Sequence, residues 1–74
     1  MKLEYDKEAD IAYIYLKKTI KDGEVKKTKR LNEQIILDFD SNNKLLGFEI
    51  LEASTLLNKE ALQTPVPPSK ARFK

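Results

Sequence analysis

Residues 38–49 read DFDSNNKLLGFE, either a metal-binding loop or a turn between two strands. Asp38, Asp40, Asn42 and Glu49 occupy positions 1, 3, 5 and 12 of an EF-hand calcium loop. Such a loop needs a helix on each side. The flanks are EQIIL (33–37) and LLGFEIL (45–51), β-branched or alternating, with no helical stripe. SNNK (41–44) between two strands is a hairpin turn, because Asn readily takes positive φ. Glu49 then lies well past the turn and points sideways, and Asp38 and Asp40 form the outward half of a period-two strand. The stretch is strand, turn and strand.

On the N-terminal side, KLEYD (2–6) alternates, with Leu3 and Tyr5 on one side and Lys2 and Glu4 on the other. IAYIYLK (11–17) is apolar on both faces, Ile11, Tyr13 and Tyr15 against Ala12, Ile14 and Leu16, which marks a central strand. KDGE (21–24) supplies a turn at Gly23. In EVKKTKRL (24–31), Val25 and Leu31 oppose Lys26, Thr28 and Arg30, and lysines of this kind suit an edge strand. QIILDFD (34–40) returns to a buried pattern, and Leu46, Phe48 and Ile50 share one face of the next strand.

The period then changes. Ser54 is a good N-cap, and TLLNKEAL (55–62) places Leu56, Leu57 and Leu62 on a helical stripe, predicting one short helix from about Thr55 to Leu62. QTPVPPSKARFK (63–74) cannot continue it, because its prolines remove donors and fix an extended backbone. The expected architecture is α+β, an antiparallel β-meander of four to five strands with one short C-terminal helix packed on one face. Residues 1–62 form a single domain and 63–74 a flexible Pro-rich basic tail, a candidate peptide ligand for a partner protein. One helix cannot cover both faces, so apolar surface on the other is expected to meet another chain.

Composition narrows the function classes. The chain has 74 residues, 14 Lys plus Arg and 12 Asp plus Glu, for a net charge of +2. A domain of this size buries only about 60% of its unfolded surface. Cys and His are both absent, which removes disulfides, thiolate or imidazole zinc sites and Ser/His or Cys/His catalysis. Association with a second copy is the remaining common way to stabilise so small a scaffold, so a homo-oligomer is expected. No apolar run approaches the ~20 residues needed to span a bilayer, and MKLEYDKEAD (1–10) is no signal peptide. The expected setting is the cytoplasm.

Three groups of side chains are candidate sites. Asp6, Glu8 and Asp10 with Asp38 and Asp40 could gather into a magnesium or acid–base site. No nucleophile or glycine-rich phosphate loop accompanies them, and solvated turns are the better reading. No enzyme, metal or cofactor is expected. Tyr13 and Tyr15 could stack bases, but they are flanked by Asp10 and Lys17, and packing in a core or interface fits them better. KKTIKDGEVKKTKR (17–30) is a basic patch that reads as a solvated edge or, alternatively, as a nucleic-acid contact. The candidate interaction surface is Tyr13, Tyr15, Lys26, Thr28, Arg30, Lys70, Arg72 and Phe73.

YDKEADIAYIYL (5–16), DGEVKKTKRL (22–31) and IILDFDSNNKLLGFEILEAS (35–54) together resemble the bacterial and archaeal domain-of-unknown-function family 2283. Tyr5, Asp6, Asp10, Tyr13, Ile14, Leu16, Asp38, Asp40, Gly47, Glu49, Ile50, Leu51, Ala53 and Ser54 carry the likeness. Asn43 stands where members often have glycine. The resemblance implies a small sheet-plus-helix domain without an established activity, carboxylates placed beside turns, and a glycine where the helix crosses the sheet. It also implies an antitoxin-like role beside a small toxin protein. The working reading is a non-enzymatic interaction module, a homodimer and antitoxin-like partner, with nucleic-acid binding through Lys17–Arg30 as the alternative.

Overall fold

The computed structural model describes residues 1–62. Lys70, Arg72 and Phe73, with the rest of the 63–74 tail, lie outside the described residues. Alternation and β-branching give five strands: β1 (Lys2–Asp6), β2 (Ile11–Tyr15), β3 (Lys27–Arg30), β4 (Ile35–Phe39) and β5 (Leu45–Leu51). Two single-turn helices follow, α1 (Ala53–Leu56) and α2 (Lys59–Leu62). Every pairing is antiparallel, and the order across the sheet is β1-β2-β5-β4-β3. The α+β class read from the sequence holds. The meander is interrupted once, because β2 pairs with β5 rather than with β3. The connection from β2 to β3 therefore crosses over, and Gly23, at φ +81°, turns the chain within that crossover.

The hairpin at 38–49 forms as its residues predict. Asp40 Oδ1 accepts the amides of Asn42 at 2.8 Å and Lys44 at 2.9 Å, and Asn43 sits at φ 62°. The carboxylate that would have helped hold an ion instead holds the turn. Lysine-rich β3 is an edge strand, as expected.

The helical segment departs from expectation in two ways. It comes as two pieces rather than one, because Leu57 is extended and Asn58 opens α2 by accepting the Ala61 amide at 2.9 Å. Ser54 is not the cap. Glu52, in the left-handed region at φ 50°, precedes α1 and makes no side-chain cap.

Cross-strand partners share a face. On the helix-bearing face, one row is Tyr5–Ala12–Ile50–Ile35 and the next is Leu3–Ile14–Phe48–Leu37, ending on Lys29. Ala53 is buried with Ala12 and Ile50, and Tyr5, Ile14, Phe48, Leu57 and Leu62 pack against that cluster. The second row stays half-buried from Leu3 to Leu37. On the opposite face, Tyr13, Tyr15 and Leu46 are covered by Ile20 and Val25 from the crossover. The apolar face left incompletely covered is thus the helix side, because the chain's own crossover folds over the tyrosines.

Candidate functional site

The tyrosine face is organised by two hydrogen bonds that run across strands. Tyr13 Oη donates to Asp38 Oδ2 at 2.7 Å, and Thr28 Oγ1 donates to Asp38 Oδ1 at 2.8 Å. Tyr13 lies on β2 and Asp38 on β4, so the phenol must pass over β5. It does so at Gly47, where an added Cβ would lie 2.5 Å from the Ile14 carbonyl oxygen and 2.9 Å from a Tyr13 ring carbon. Glycine is required by that close approach. It does not mark a helix crossing, since the helices lie on the other face. Asp38, read as an outward-facing residue, is instead half-buried beneath this contact.

Beside it, Tyr15 Oη donates to Glu4 Oε1 at 2.7 Å, with the two residues 1% and 6% exposed. Lys2 Nζ lies 3.8 Å from Glu4 Oε2 and 4.7 Å over the Tyr15 ring. The two tyrosine rings meet edge to face at 4.9 Å. Burial, reinforced by the bond to Asp38, pushes the Tyr13 phenol far above its ordinary range, so it remains a neutral donor. Both rings are enclosed within the chain and present no stacking platform.

A second network ties the helix to the first turn. Asp10, held at φ 56°, accepts Tyr5 Oη at 2.7 Å, the Ser54 amide at 2.9 Å and Ser54 Oγ at 2.7 Å. Its backbone oxygen accepts the Ala53 amide at 2.9 Å. Asp10 therefore caps α1 from a distant part of the sequence. The Tyr5 hydroxyl, followed by Ser54, holds the Asp10 carboxyl below its ordinary value, and the same bond pushes the Tyr5 phenol up. Gln34 Nε2 secures the same corner by donating to the Leu51 carbonyl at 3.0 Å and Thr55 Oγ1 at 2.9 Å.

The acidic residues singled out in the sequence are not brought together. Asp6 Oδ1 accepts the amides of Glu8 and Ala9, Asp10 caps α1, Asp38 holds Tyr13 and Thr28, and Asp40 holds its turn. Among the described residues no group of three or more potential ligands could hold a metal ion.

The basic residues are exposed. Lys26, Thr28 and Arg30 line the β3 end of the sheet, with Lys27 over the Phe39 ring at 5.3 Å. Arg30 donates to the backbone oxygens of Asn32 and Glu33, and Lys17 pairs with Glu24, whose carboxyl it lowers. Sequence reasoning missed the Asp10–Ser54 cap and all three tyrosine–carboxylate pairs, Tyr5–Asp10, Tyr13–Asp38 and Tyr15–Glu4. The available signal was parity, because Glu4 shares a face with the tyrosines once β2 is set beside β1, and Asp38 does so once β5 is set between β2 and β4.

The family described as a protein of unknown function (DUF2283) matches residues 2–54. The uncharacterized protein MJ0789 of Methanocaldococcus jannaschii is 42% identical over 59 residues, covering 78% of this chain and 46% of that protein. The chain thus spans less than half the length of this relative. No solved structure matches it. The Tyr5–Asp10–Ser54 cap, the Tyr13–Gly47–Asp38 crossing and the turn at Asp40 all rest on residues within the matched span, and the chain belongs to the DUF2283 family of proteins of unknown function.

Proposed function

We propose that the protein is a non-enzymatic interaction module that works as a homodimer. One observation carries this reading. The apolar row Leu3–Ile14–Phe48–Leu37 runs from the open β1 edge across the helix-bearing face, and α1 and α2 leave it half-covered. A non-catalytic role is supported by Asp10, Asp38 and Asp40, whose carboxylates are engaged in holding the fold. Sedimentation velocity from low to high micromolar concentration tests the homodimer. A concentration-dependent shift to twice the monomer mass is expected, and a monomer throughout would overturn it.

The finer reading, an antitoxin-like partner of a small toxin protein, rests on the family resemblance. Nucleic-acid binding is the second reading, and the exposure of Lys26, Lys27, Lys29 and Arg30 favours it. Its signature is affinity that falls steeply with salt.

A further inference from the structure

The sheet ends in two strands of different character. Among the described residues, nothing pairs with the outer edge of either β1 or β3. We infer that a second copy of this chain pairs along β1, antiparallel and centred on Leu3, to make one continuous ten-stranded sheet. This rests on the homodimer reading and assigns its interface.

Charge and face complementarity favour this pairing. An antiparallel two-fold pairing must set residues of equal parity opposite each other if the two sheets are to share a face. Centred on Leu3, the pairing sets Lys2 against the partner's Glu4 twice and Leu3 against the partner's Leu3. Opposite charges meet on the tyrosine face and apolar side chains on the helix-bearing face. The two Leu3–Leu37 rows then join end to end. Centred on Glu4, the same strand would set the two glutamates against each other, which is unfavourable.

The β3 edge cannot do this. Self-pairing centred on Thr28 sets Lys27 against Lys29 and Lys26 against Arg30, and pairing centred on Lys29 opposes the two Lys29 side chains. Pairing β1 with β3 sets Leu3 and Tyr5 against Lys27 and Lys29, and it generates an open filament rather than a closed pair. Cations guard one end of the sheet, and the other end is self-complementary.

The chain has no cysteine, so single-cysteine variants report the interface directly. Facing residues in an antiparallel pair have Cα atoms about 4.5–5.5 Å apart, within the span a disulfide bridges. Leu3→Cys of the full chain should therefore form a covalent dimer under mild oxidation, while Lys29→Cys on β3 should not. Lys2→Glu, compared with Lys2→Gln because both lose the in-chain contact of Lys2 with Glu4, places like charges opposite each other twice. It should raise the dimer dissociation constant about tenfold, an effect that shrinks with added salt. Selective Leu3→Cys crosslinking together with the Lys2→Glu shift supports the proposal. A dimer by sedimentation that fails to crosslink at Leu3, or that ignores Lys2→Glu, overturns this interface and leaves the homodimer standing. A strict monomer overturns both.

Discussion

The two faces of the sheet are closed by different means. The tyrosine face is polar at its centre and covered by the chain's own crossover, and its key contacts are short and directional, buried at Tyr15–Glu4 and part-buried at Tyr13–Asp38. The helix-bearing face is apolar, and two single-turn helices cover it incompletely, leaving the Leu3–Ile14–Phe48–Leu37 row half-buried. Directional bonds between strands fix where each element must lie. Apolar packing tolerates a partial cover and leaves surface for another protein. The face with more polar groups at its centre is thus the more completely internal one.

The sharpest way to break this arrangement is at Gly47. Its replacement by alanine drives a Cβ into the Ile14 carbonyl and the Tyr13 ring, so backbone and phenol must both shift. A loss of about 3 kcal/mol or more is expected in urea denaturation. A loss under about 1 kcal/mol would mean the crossing over Gly47 is not close-packed. The next largest effect is Tyr15→Phe, which leaves the buried Glu4 carboxylate without its donor at a cost of about 2 kcal/mol. An unchanged denaturation midpoint would show that water replaces the phenol.

The smallest effect should come from the helix side. Asp10→Asn keeps the shape of the cap but weakens its bonds, costing about 1 kcal/mol at neutral pH. The sign of its pH dependence is fixed. Because the folded carboxyl is held below its unfolded value of 3.8, its stabilising contribution is present above that value. It is lost as pH falls through the folded one. The gap between parent and variant should therefore close in acid, and a gap that stays constant from pH 7 to strong acid would exclude the Asp10 cap as its source.

Much of the fold was legible in local pattern. SNNK between alternating strands gave the hairpin, the Lys-rich segment gave an edge, and β2, apolar on both faces, proved to be an interior strand. What could not be read was everything that depends on which strands meet. The pairing of β2 with β5 brings Tyr13 over Gly47, and no local signal distinguishes it from a β2–β3 hairpin turned at Gly23. Asp38 was read as outward because alternation gives its side of the strand but not what covers that side. The helix break at Asn58 was legible in principle, since Asn is a good N-cap, but the leucine stripe ran through it. Of the candidate surface, Lys26, Thr28 and Arg30 are exposed as a local reading expects, whereas Tyr13 and Tyr15 became internal through the crossover.

The interrupted strand order has a consequence for how the chain reaches its native state. β1 and β2 can form a hairpin from nearby residues, and β3, β4 and β5 can form a meander in the same way. Among the described strands, the backbone ladder that joins the two halves is the β2–β5 seam, which unites residues as far apart in sequence as Ile11 and Leu51. Closing that seam carries the loop-closure entropy of the intervening chain before its contacts form. Folding speed should be set there, and α1, capped by Asp10 across the same gap, is too short to hold its shape until the seam has closed.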